Sequence, residues 1–226
     1  MALRAKTSLS TKLAVTGLLL LCVVPVGAGL FRLYVLAFGE ITPDNARFFA
    51  SPLPVILHII SVSLFGVLGA FQFVPSLRKG SVNWHRRMGP FVWSMGLLTA
   101  LTGLWMTLFY PWAPNDNWLL YLFRLFVGSW MLVALALAYW LVRRRDFAGH
   151  EAFMLRGYAI GMGAGTQAVI FIPFELVFGH PDLMGRALLM GLGWAINAVF
   201  AEWLLWRRDR QSRLSSSPRL TGRTIA

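Results

Sequence analysis

Apolar residues in this chain come in long unbroken runs, and polar residues gather in short stretches between them. Six runs stand out: Leu13–Phe38, Pro52–Leu77, Pro90–Tyr110, Trp118–Val142, Phe153–Phe178 and Leu183–Trp206. A helix needs about 20 apolar residues to cross the hydrocarbon core of a bilayer, and each run reaches that length. None alternates polar and apolar residues as a strand of an outer-membrane barrel does. The pattern predicts an all-α polytopic membrane bundle of six transmembrane helices. It forms one domain over residues 1–206, with its core at 52–206, and a basic, disordered tail occupies 207–226.

Basic residues punctuate the runs on alternate sides. One set of connections carries Arg4, Lys6 and Lys12, then Arg78, Lys79, Arg86 and Arg87, then Arg143, Arg144, Arg145 and Arg156, and last Arg207, Arg208, Arg210, Arg213, Arg219 and Arg223. The other set keeps Glu40, Asp44, Asp116 and Asp182. Lys and Arg accumulate in cytoplasmic loops, so this asymmetry predicts both termini in the cytoplasm. The first run, with its basic start and small residues at Val26-Gly27-Ala28, also has features of a signal peptide. Its length, continuing past Arg32 to Phe38, favours an uncleaved anchor.

Composition agrees with the pattern. The 226 residues are 57% hydrophobic and 13% charged, with mean hydropathy +0.62, where a soluble domain carries about 25% charged residues. The net charge of +12 comes from clusters at the ends of apolar runs, where anionic lipid headgroups are the expected partners. No separate basic domain exists to bind nucleic acid. One cysteine, Cys22, excludes an internal disulfide and a Cys-rich metal site and reads as a packing residue. Trp84, Trp112, Trp118, Trp140, Trp203 and Trp206 fall near span ends, as interfacial aromatic belts do.

The second-to-third and fourth-to-fifth connections match each other. Arg78 precedes His85 by seven residues, and Arg143 precedes His150 by seven. His58 lies twenty residues before Arg78, and Arg124 lies nineteen before Arg143. Each hairpin thus carries one ionisable residue in the outer part of its first helix and one histidine at the inner end of its second. That arrangement predicts parallel repeats about an axis along the membrane normal, with the first and last spans at the periphery.

Polar side chains at membrane depth are costly and so are candidates for function. His58 lies about 7 Å outward of the midpoint of its span at about 1.5 Å per residue. Arg124 sits at similar depth, and Glu175, at the outer end of the fifth span, is placed to pair with it. With Gln72 and Gln167 these residues form a candidate polar site for a small molecule or lipid; the plainer reading of His58 is a helix–helix hydrogen bond. His85 and His150 share the inner interface, where two histidines can ligate a b-type haem, with Arg86 and Arg156 near its propionates. They can equally face lipid phosphates. The four histidines are too dispersed for a metal site. Gly157, Gly161 and Gly165 share one helical face and predict close approach of another helix. Asn197 is a further buried polar candidate, and Glu202 is placed to pair with Arg207 or Arg208. No catalytic triad, metalloprotease motif or nucleotide loop is visible.

The stretch LHIISVSLFGVLGAFQF…LRKGSVNWHRRMGP resembles the core of a bacterial membrane-protein family known as domain of unknown function 2306. The resemblance rests on His58, Gln72-Phe73, Arg78, His85-Arg86 and Gly89, then on His150, Met154, Arg156 and Tyr158, and on the later GAGTQ and GWAINAVFAEW stretches. It covers residues 52–206. Glu151 departs from the pattern, which more often has Arg after the second histidine, and this lowers the local positive charge. A looser likeness of layout runs to the di-haem transmembrane cytochromes b, also six-span bundles with histidines over four central helices. Three readings stay open on the sequence: a b-type haem electron-transfer protein, a transporter-like bundle binding a small molecule or lipid, and a membrane assembly or scaffold protein.

Overall fold

The computed structural model describes residues 8–74 and 84–216, and everything described is helix or short connection. The helices are α1 (Leu9–Phe38), α2 (Ala46–Ala50), α3 (Pro52–Gln72), α4 (Trp84–Phe109), α5 (Trp118–Arg143), α6 (Phe147–Gly161), α7 (Gly163–Phe178) and α8 (Leu183–Ser216). With α6 and α7 taken together, six spans are long and apolar enough to cross a membrane. Arg4, Lys6, Arg78, Lys79, Arg219 and Arg223 lie outside the described residues.

Local chemistry sets the helix ends. Pro52 opens α3 at a position where a missing N–H costs nothing. That helix stops at Gln72, short of the predicted Leu77, because Pro75 disfavours helical backbone in the residue before it. Asn117 caps α5 by accepting from Leu120 N at 2.8 Å, and its amide donates to Leu183 O at 2.7 Å, fixing the start of α8 beside it. Asp146 caps α6 through Gly149 N at 2.9 Å, after Arg145 turns the chain with φ 64°. Because α4 and α6 begin before their apolar runs, His85 and His150 lie in their first turns. The last helix continues to Ser216, ten residues beyond the predicted end of the span.

The fifth span is broken at Met162, where the sequence suggests one continuous helix. Gly161 and Gly163 flank the break, and glycine is a common place for a helix to kink. Backbone polar groups at such a joint need partners in an apolar medium. Asn197 of α8 donates to Ala159 O at 3.0 Å just before the break and accepts from Thr166 Oγ1 at 2.7 Å just after it.

Helices in lipid gain little from apolar burial against one another, so close approach and hydrogen bonds hold the bundle. The core centres on Phe65, 1% exposed, with Leu135, Val92, Met131 and Tyr158 around it. Gly96 and Gly161, each eleven residues after its hairpin's histidine, meet opposite edges of the Phe65 ring, at 2.6 and 2.7 Å from an added Cβ. Trp93 and Tyr158, each eight residues after that histidine, donate to a carbonyl in the first helix of the other hairpin. Trp93 Nε1 reaches Leu135 O at 2.9 Å, and the Tyr158 hydroxyl reaches Gly66 O at 2.7 Å. The two hairpins therefore clasp each other through matched positions. Only Cys22 of α1 is buried, against Gly66 and Met162, so that span is peripheral. The three glycines expected to share one partner have three: Gly157 meets Leu135 of α5, Gly161 meets Phe65 of α3, and Gly165 meets the Leu21 backbone of α1.

Candidate functional site: a polar cavity at the Asp116 end

Between the helices, at the end where α4 passes to α5, lies a cavity of about 330 Å³. Its walls are largely apolar, with Val62, Met106, Val127, Met131 and Ile160 among them. Its charged and amide groups are Arg47, Asp116 and Arg124 near the mouth, His58 on one wall and Gln167 deeper in; hydroxyls of Thr99, Thr107, Tyr110 and Tyr121 and the indoles of Trp112 and Trp194 also line it. Such a site, mostly apolar with a handful of placed polar groups, is the usual form of a small-molecule pocket, and this volume is at the small end of the range.

Arg124 leaves α5 six residues from its start and reaches outward to the loop. Its Nη1 donates to Asp116 Oδ2 at 2.7 Å and its Nη2 to Oδ1 at 3.1 Å, a forked pair with the Asp116 side chain 8% exposed. The expected partner, Glu175, instead binds His180, Oε1 to Nδ1 at 3.2 Å, at the exposed end of α7. A long arginine side chain favours the wetter end of its helix, and the loop carboxylate there captures it. Burial pushes the Asp116 carboxyl up, but the hydrogen bonds and charge of Arg124, with help from Arg186, outweigh that and hold it below its ordinary value.

Arg47 comes from α2, a one-turn helix with no counterpart among the predicted spans. Among the described residues no carboxylate lies within 4.0 Å of it; its Nη1 makes only a 3.5 Å contact with Pro111 O, and its guanidinium lies over the Phe48 ring at 4.7 Å. Burial lowers its pKa, Arg124 and Arg32 act in the same direction, and Asp116 and Asp44 oppose them. The loop is pinned from below, where the Tyr110 hydroxyl donates to Ser51 O at 2.6 Å and its ring meets Phe48 edge-on.

His58 ties α3 to α4. Its Nδ1 is 3.2 Å from Thr99 O and 3.0 Å from Thr102 Oγ1. Thr102 gives its own hydrogen to Leu98 O at 2.6 Å, so both neighbours accept and Nδ1 is the donor. In the neutral ring Nε2 is then an acceptor, and among the described residues nothing bonds it. Gln167 is fixed by Nε2 donating to Met190 O at 2.9 Å, with Gly193 leaving room for its stem, so its oxygen is the atom free to face a ligand.

The cavity thus gathers His58, Arg124 and Gln167 from the candidate polar site and leaves out Glu175 and Gln72. Gln72 lies at the other end of α3, where both amide atoms, like Trp84 Nε1, are buried without a hydrogen-bond partner among the described residues. At that Arg145 end His150 Nδ1 is 2.9 Å from Ala138 O, and Arg86 is exposed. Arg156 forks onto Glu202 of α8, Nε to Oε1 at 2.6 Å and Nη2 to Oε2 at 2.8 Å, so Glu202 pairs across helices and not with Arg207 or Arg208. Arg208 takes Glu151 at 2.5 Å, which gives the departing residue of the second histidine motif an interhelical role. Arg144 and Arg207 lie over Trp140 and Trp203, four residues back, at 4.0 and 4.8 Å.

A family model described as predicted membrane protein (DUF2306) matches residues 55–205, from the first turns of α3 to the middle of α8. The chain belongs to this family. It is a multi-pass membrane protein, and the matched region holds His58, Asp116, Arg124 and Gln167 but not Arg47. No curated protein and no solved structure matches the chain. Reading the sequence alone missed Asp116, Arg47 and Tyr110 as site residues. Asp116 stood only as a marker of sidedness, although it precedes Arg124 by eight residues in a short loop.

Proposed function

We propose that the protein binds a small molecule within the membrane, entering from the Asp116 end, as a receptor or carrier of the transporter-like class. The observation that carries this reading is the cavity itself: an apolar chamber between the two hairpins, with a charged mouth and two inward hydrogen-bonding residues. Polar groups placed around an apolar cavity at membrane depth are costly, which favours binding over a purely structural role. The proposal includes an orientation, with both termini in the cytoplasm of a bacterial inner membrane and the mouth on the outer side. The basic residues at the Arg145 end and in the C-terminal segment support it, facing anionic headgroups.

A screen of small acids, amines and neutral amphiphiles by thermal shift tests it, using the detergent-purified protein beside Ala164→Phe, which fills the cavity. Compounds that stabilise the wild type and not the variant are expected. Equal shifts in both proteins, or none in either, overturn the reading.

A second reading concerns the Arg145 end. The amide of Gln72 and the indole N–H of Trp84, unpartnered among the described residues, favour a polar guest near His85, and the Ala138 carbonyl beside His150 Nδ1 leaves Nε2 as the ligating atom of that ring. A b-type haem held by His85 and His150 would use these features with Arg86 as a propionate partner, while Arg156 is already engaged by Glu202. A reduced-minus-oxidised spectrum of protein expressed with added haem decides it; a flat visible spectrum retires this reading.

A further inference from the structure

The cavity's hydrogen-bonding groups are sorted by depth, and the sorting specifies a ligand. This step rests on the cavity's being a binding site. At the mouth stand donors: Arg47 and Arg124 face the single carboxylate of Asp116, which already takes both forks of Arg124. Of the charged lining residues, Arg47 is left without a carboxylate, its only hydrogen bond among the described residues being the long contact to Pro111 O; beyond the lining, Asp44 offsets Arg32, and Arg186 adds to the positive charge around Asp116. Inside, two of the lining side chains are left as acceptors. The protein uses up the donor side of His58 on Thr99 and Thr102 and the donor side of Gln167 on Met190. What remains to a guest of these two is the Nε2 lone pair of the neutral imidazole and the Gln167 carbonyl oxygen; Trp194, which also lines the cavity, adds one indole N–H that the oxygen of a hydroxyl can accept.

We infer that the ligand class is an organic acid with an apolar, ring-sized body and a hydroxyl donor at the end remote from its acid group. The carboxylate lies at the mouth against Arg47 and the outer edge of the Arg124 fork. The body fills the space between Val62, Val127 and Ile160. The hydroxyl hydrogen points to His58 Nε2. An amine at the mouth meets surplus positive charge. A ligand whose inner end only accepts hydrogen bonds leaves both interior acceptors unsatisfied, and unsatisfied buried groups are what polar sites discriminate with.

Three probes separate the parts of this assignment: 4-hydroxyphenylacetate, phenylacetate without the hydroxyl, and 4-hydroxyphenylacetamide without the charge. Binding is measured by calorimetry on the full-length protein in detergent. The hydroxy acid is expected to bind about tenfold more tightly than either single-deletion probe, in line with one hydrogen bond or one exposed charge contact. His58→Leu is expected to remove the preference for the hydroxyl and keep the preference for the acid, and Arg47→Gln the reverse. Arg47 lies outside the transmembrane helices, so its variant leaves the bundle's packing intact if the histidine variant fails to fold. If the three probes bind equally, in a manner that Ala164→Phe abolishes, the ligand class is overturned and the binding cavity stands. If none binds up to millimolar concentration, the assignment falls; if the broader screen is silent as well, the cavity reading falls with it.

Discussion

Asp116 and Arg124 hold the mouth of the cavity in shape, and each depends on the other. Asp116→Asn leaves the guanidinium with a neutral partner and is expected to cost about 1.5–3 kcal/mol, the range for a hydrogen bond to a charged group. A thermal melt in detergent measures it. The pH dependence has a definite sign. The folded-state pKa of Asp116 lies below its ordinary value of 3.8, so its contribution is complete above that value and is lost as pH falls through the lower, folded one. The wild type is expected to lose stability on acidification below about pH 4, and Asp116→Asn to show a flatter profile there. The pair also marks how far residues can be read from sequence. Arg124 stood out because an arginine inside an apolar run is costly, and that inference needed no structure. Its partner was misjudged because helical spacing gives depth along a span but not the direction a long side chain takes. The side chain runs back toward the loop, past the reach of Glu175, and meets Asp116.

At the scale of elements, the bundle is clasped around Phe65. Gly96 and Gly161 leave no room for a Cβ on either side of its ring. Gly161→Ala and Gly96→Ala are each expected to destabilise by about 1–3 kcal/mol through overpacking. Phe65→Leu is expected to recover part of that loss in the double variant, with a coupling of about 0.5–3 kcal/mol in a double-mutant cycle. Strict additivity would mean that the glycines serve something other than the ring. The glycine spacing was legible as close packing, but not as three separate partners. Four-residue steps drift around a helix by about 40° per step, since a turn takes 3.6 residues, and the helix is interrupted at Met162 between the second and third glycine. That break had a signal in the clustered glycines, yet its stabilisation by Asn197 depends on a helix distant in sequence.

For the whole molecule, six spans and their order could be read directly, because a run of about 20 apolar residues has few structural alternatives. The cavity could not, because it arises from how five spans, α2 and the loop after α4 are rotated against one another. Sidedness is open to direct measurement. In a Cys22→Ala background, Asn115→Cys is expected to react with a membrane-impermeant maleimide in intact spheroplasts. Arg145→Cys is expected to react only after permeabilisation. The reverse pattern would put the mouth of the cavity on the cytoplasmic face.

The matched hairpins have one more implication. Two identical hairpins facing each other across an axis would read whatever lay on that axis twice and in the same way; such a place would suit a guest with two identical ends. In this chain the hairpins keep the same glycine against Phe65 but differ in the outer half of their first helices, where one presents His58 and the other Arg124. The two hairpins thus match at Phe65 while the lining between them is polar in the compass sense, with a north and a south. A guest in that chamber can tell one hairpin from the other, and so has one way round in which it fits.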